Sequence, residues 1–119
     1  MKEETATKLN VLMDAKKIDS KDLSFIKKVD SKIIDSFGEV DNEMLLIHLG
    51  IALERTKNKE EVDEIPREVW QQVINKEEFP RAKNFWKECK ALIPVMLPRE
   101  EESYILMHLV NIIRSVQNG

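Results

Sequence analysis

Apolar residues recur along this chain at intervals of three and four rather than two, the spacing that lines one side of an α-helix. Leu9, Leu12 and Met13 make a narrow stripe, which predicts a short or frayed helix over residues 5–15. Ser20 or Asp22 can cap a second helix, whose core face reads Phe25, Ile26, Val29, Ile33, Ile34 and Phe37 before Gly38 stops it. Asp41 can cap a third over residues 43–55. There Met44, Leu45, Leu46, Ile47, Leu49, Ile51, Ala52 and Leu53 are so nearly continuous that burial on most sides is expected. The polar run 56–64 predicts a solvated connection. Pro66 suits the first turn of a short fourth helix ending near Asn75. Pro80 opens a fifth, with Ala82, Phe85, Trp86, Cys89 and Leu92 along one face, and Pro94 and Pro98 stop it. A last helix is expected over residues 100–116.

Composition agrees with this pattern. Only 3 glycines and 4 prolines interrupt 119 residues, too few turn formers for a many-stranded sheet, and no low-complexity linker divides the chain. The expected fold is therefore all-α: a five-helix bundle over residues 20–117, with residues 1–19 as an N-terminal extension carrying the short first helix. The formal net charge is -3 and the two signs are interspersed along the chain, so no cationic stripe is laid out for nucleic-acid phosphates. A single cysteine, Cys89, precludes an internal disulfide and reads as a small core residue; no Cys-x-x-Cys pair suggests structural zinc. The polar start of the chain lacks a secretory signal, and no run of eighteen apolar residues predicts a membrane span. A cytoplasmic protein is expected. No glycine-rich phosphate loop occurs, and nothing implies a cofactor.

Candidate chemistry centres on the two histidines. Each sits within a strongly apolar helix, in the settings Met44-Leu45-Leu46-Ile47-His48-Leu49 and Tyr104-Ile105-Leu106-Met107-His108-Leu109. A ring buried there without a partner costs about 1–3 kcal/mol, so each must find one or open onto a groove. Arg55 lies seven residues after His48, and Glu101 seven before His108. Seven residues span two turns, about 10 Å, which precludes contact within one helix. If the two helices pack antiparallel with the histidines level, however, Arg55 comes level with Glu101 as a possible ion pair. A metal site built from His48, His108 and Glu101 is an alternative, although no Glu-x-x-His pair of the kind used in helical carboxylate sites is present. Trp70, Phe79, Phe85 and Trp86 read as packing anchors.

These stretches resemble the PTS regulation domain, or PRD, of bacterial antiterminators and transcriptional activators that govern sugar-uptake operons. Residues 47–55 are similar to its His-(Leu/Ile)-x-x-Ala-(Ile/Leu)-x-Arg element through His48, Leu49, Ala52, Leu53 and Arg55. Residues 97–109 are similar to its Pro-x-x-Glu-x-x-(Tyr/Phe)-Ile-x-x-His element through Pro98, Glu101, Tyr104, Ile105 and His108. The resemblance spans about residues 20–117. It implies a bundle of two antiparallel helix pairs, one of which carries both histidines, with one crossing short helix, and a regulator rather than an enzyme. His48 and His108 would accept phosphoryl groups from the phosphocarrier HPr or from sugar-specific enzyme II components, with Arg55 and Glu101 as supporting charges. It also implies association as a homodimer or with a larger PRD-containing regulator. Regulators of this family usually carry two such domains and an RNA-binding or helix-turn-helix effector; this chain has room for neither, so a single-domain member is expected. The competing expectation is a helical interaction module that accepts no phosphoryl group.

Overall fold

Three- and four-residue spacing closes into six helices in the computed structural model, which describes residues 1–117. They are α1 (Glu3–Asp14), α2 (Ser20–Phe37), α3 (Glu43–Lys57), α4 (Arg67–Ile74), α5 (Phe79–Lys90) and α6 (Arg99–Gln117). No strand forms among the described residues.

Side-chain bonds fix the directions of the helices. Asp22 meets Lys57 and Asp30 meets Asn42, so α2 and α3 run antiparallel. Glu78 pairs with Arg114 at 3.3 Å, and Glu102 accepts from Trp86 Nε1 at 2.7 Å and Lys90 Nζ at 3.1 Å, which makes α5 and α6 antiparallel too. Two antiparallel pairs are present, but His48 on α3 and His108 on α6 fall in different pairs, whereas the resemblance implied one pair carrying both. The short α4 packs against α6. Leu46, Leu49 and Leu53 of α3 and Ile105 and Ile113 of α6 are fully buried, so these two helices carry the centre of the core.

The first helix departs from the expected loose extension. Leu9 is 0% and Thr5 1% exposed, and α1 lies parallel to α3: Thr5 Oγ1 donates to Glu43 Oε1 at 2.9 Å, and Lys17 approaches Glu54 farther along. The narrow stripe packs against α3 beside Gly50, where there is still room for a methyl group at contact distance. A Cβ placed there would lie 3.4 Å from Leu12 Cδ1 and 3.6 Å from Ile26 Cδ1. The bundle thus has six packed helices, and Ile18, 4% exposed, continues the core between α1 and α2.

Other local differences have equally local causes. The cap of α2 is Asp19, one residue before the expected start, in a reciprocal capping box. Asp19 Oδ1 accepts from the Asp22 amide at 2.9 Å, and Asp22 Oδ2 accepts from the Asp19 amide at 3.0 Å. At the start of α3, Asn42 holds the cap position but spends its side chain on Asp30, while Asp41 Oδ1 accepts from the Glu43 amide at 3.3 Å. Gly38 ends α2 at φ +85°, a conformation that favours glycine. Leu92 does not extend the apolar face of α5: the helix stops at Lys90 and Leu92 is 51% exposed. Nor is α3 buried on all apolar sides, since Met44 is 74% exposed and Ile51 37%.

Candidate functional site

His48 and His108 face one another where α3 crosses α6. Their ring centroids are 5.3 Å apart with the planes tilted by 54°. Leu49 and Leu109, the residues that follow each histidine, point into the core at 0% and 1% exposure. The helical turn therefore leaves each histidine at the boundary between core and solvent, half-buried. Two turns along, Arg55 comes level with Glu101: Arg55 Nε donates to Glu101 Oε2 at 3.0 Å, and Nη2 donates to Oε1 at 2.9 Å. The fork-on-carboxylate geometry is the strong, orienting form of an ion pair. All four residues singled out in the sequence are thus brought together, in the antiparallel register that their spacing suggested.

Glu101 is 1% exposed, a carboxylate enclosed by protein. It lies in the first turn of α6, where the unpaired amides of a helix start favour negative charge. Besides Arg55, it approaches His48: Nε2 stands 3.5 Å from Oε1. At that length the contact is electrostatic rather than a formed hydrogen bond, and Nε2 is a buried nitrogen without a bonded partner. Burial holds the His48 imidazole below its ordinary pKa; the Arg55 charge pushes the same way, and Glu101 opposes both. Burial also lowers His108, helped by the charge His48 would carry. Both rings are accordingly neutral near pH 7, the form in which a ring nitrogen is nucleophilic.

Tyr104, which sequence reasoning placed in a motif but assigned no role, belongs to the site. Its ring centroid is 5.7 Å from that of His48, and its hydroxyl donates to the Asp63 carbonyl at 3.2 Å, tying the 58–66 connection to α6. Its position four residues before His108 was the available signal. Cys89 has no such place. It is fully buried, and burial pushes its thiol up to about 12, so it is an inert core residue. Both oxygens of Glu101 are occupied by the guanidinium. Among the described residues no group of three or more His, Cys, Asp or Glu is arranged to hold a metal ion. Among the same residues no helix is long and apolar enough to cross a membrane.

This arrangement lies within a match to the PRD domain family that covers residues 23–112. The chain belongs to the PRD domain family. It is also similar to the probable licABCH operon regulator of Bacillus subtilis (strain 168), at 30% identity over 74 residues. Those residues are 62% of this chain but 11% of that protein, so the chain spans only a small part of its relative's length. No solved structure matches the chain significantly. The matched PRD segment contains His48, Arg55, Glu101, Tyr104 and His108, and leaves all of α1, the first residues of α2 and the last turn of α6 outside.

Proposed function

We propose that this PRD domain regulates transcription of a sugar operon by accepting phosphoryl groups on His48 and His108. The donors are components of the phosphotransferase system, the phosphocarrier HPr or a sugar-specific enzyme II. The observation that carries this reading is the pair of partly exposed imidazoles 5.3 Å apart beside a forked Arg55–Glu101 pair. The domain receives the group and catalyses nothing on a substrate of its own. Residues 20–117 form the accepting unit, residues 1–19 accompany it, and the setting is the cytoplasm, where the donors are found.

A phosphoryl group adds between one and two negative charges, by analogy with other phosphorylated side chains. Met44 and Ile51, one turn either side of His48 on the same helix face, are 74% and 37% exposed. They supply an apolar surface for association with a second copy or with a larger PRD-containing regulator. Charge placed beside that surface alters the association, and antitermination or activation is the output. The same surface would serve an interaction module that accepts no phosphoryl group, so the test must separate the two. Incubation with phosphorylated HPr and with enzyme II, followed by intact-mass and peptide mass spectrometry, should place phosphate on the histidines. Light scattering with and without donor should show a changed association state. Unmodified histidines under both donors would leave the interaction module as the better reading.

A further inference from the structure

Resting on the acceptor reading above, we infer that His48 takes its phosphoryl group on Nδ1 alone, with Glu101 as the residue that positions the ring for it.

An imidazole has two nitrogens, and the fold treats those of His48 differently. The side chain as a whole keeps 21% of its surface in solvent, yet none of that surface belongs to Nε2, which is buried and faces Glu101 Oε1 at 3.5 Å. In-line transfer requires the attacking lone pair to meet phosphorus opposite the leaving nitrogen, with room for three phosphoryl oxygens. Nε2 has neither approach nor room, and a phosphoryl group there would be driven against a buried carboxylate. Nδ1 is the remaining nucleophile.

The tautomer follows from the same geometry. A carboxylate accepts and cannot donate, so the nitrogen that faces Glu101 favours carrying the proton, leaving the Nδ1 lone pair free. Arg55 occupies both Glu101 oxygens and thereby fixes the carboxylate that fixes the ring. The order Arg55, Glu101, His48 is that of an orienting group behind a nucleophile. In the transfer, the Nδ1–phosphorus bond forms as the donor's nitrogen–phosphorus bond breaks. The donor nitrogen leaves with the bonding pair, and the Nε2 proton stays in place, facing Glu101 while the ring carries the transient positive charge. No metal and no further reactant is required.

Nuclear magnetic resonance of the full chain, labelled with nitrogen-15 in its histidine rings, tests this. Only two histidines are present, so both adducts can be read in the unaltered protein and assigned with His108→Gln and His48→Gln. Phosphorylated HPr and potassium phosphoramidate serve as donors, and phosphorus–proton and proton–nitrogen correlations identify the nitrogen that carries phosphate. The expected result is the Nδ1 adduct at His48 with both donors. In Glu101→Gln, phosphorylation of His48 should slow at least about fivefold while His108 is modified at its ordinary rate. An adduct on Nε2 of His48, or equal slowing of both histidines in Glu101→Gln, overturns the inference and leaves the acceptor reading intact. Phosphate on His108 with none on His48 also overturns it. Phosphate on neither histidine removes the acceptor reading and the inference together.

Discussion

Replacing Arg55 with methionine strands the Glu101 carboxylate, and the size of the effect can be worked from the site. The substitution keeps most of the aliphatic stem and removes two charge-assisted hydrogen bonds of 3.0 and 2.9 Å from a carboxylate that is 1% exposed. Removing one partner of a fully buried pair costs about 3–5 kcal/mol. Arg55 itself is 28% exposed and stays partly hydrated, which lowers the expected loss to about 2–3 kcal/mol. A loss of that size lowers the melting temperature on the order of 10 °C for a domain of this length. The cost should depend on pH with a definite sign. Without the guanidinium, His48 is the remaining cation beside Glu101, and its pKa rises because a charge that held it down is gone. The variant's deficit therefore shrinks as pH falls through the His48 titration and is largest above it. Urea denaturation of Arg55→Met, Glu101→Gln and the double variant at pH 8 and pH 6 measures these terms. The double variant should be more stable than Arg55→Met, since no bare carboxylate remains. A deficit below about 0.5 kcal/mol would refute the reasoning, as would a double variant no better than the single one.

Three further outcomes are expected. Leu9→Ala should cost about 2–4 kcal/mol in urea denaturation, as for a fully buried leucine; a frayed extension would show almost none. Gly50→Ala should raise stability by about 0.5–1 kcal/mol, because an added methyl meets its neighbours at ordinary contact distances and the helix gains propensity; a loss would mean that α1 and α2 cannot give. Since burial holds both histidines below their ordinary pKa, the folded state takes up protons less readily than the unfolded one. Stability should be full above about pH 6.5 and fall as pH drops below it; replacing both histidines with glutamine should flatten that part of the profile.

The helices were legible because each carries its own punctuation. Gly38, Pro66, Pro80 and the pair Pro94 and Pro98 lie within a residue or a few of observed boundaries. The place of α1 was not legible. A three-residue apolar stripe looks too thin to hold a helix down, yet Leu12 packs beside Gly50 of α3 and Thr5 bonds Glu43. That complementarity lies between residues about forty positions apart, and no local window contains it. Composition likewise could not decide which apolar residues of α3 stay exposed. Met44 and Ile51 face outward because α1, α2 and α6 cover the other sides and leave one strip open.

At the site, the register of α3 against α6 could be inferred, but the roles of individual atoms could not. Seven residues advance an ideal helix by nearly two whole turns, so equal spacings on antiparallel helices bring both pairs into register together. The pairing of Arg55 with Glu101 follows from that arithmetic once His48 and His108 are level. Which nitrogen of His48 turns inward is set by its rotamer, and the rotamer depends on the Tyr104 ring 5.7 Å away and on a carboxylate already fixed by Arg55. A register of two helices repeats every turn and survives small shifts, whereas the choice between Nδ1 and Nε2 changes with a single rotation about one bond. Spacing therefore identifies the four residues that meet, and the packing around Glu101 determines which nitrogen of His48 is turned inward.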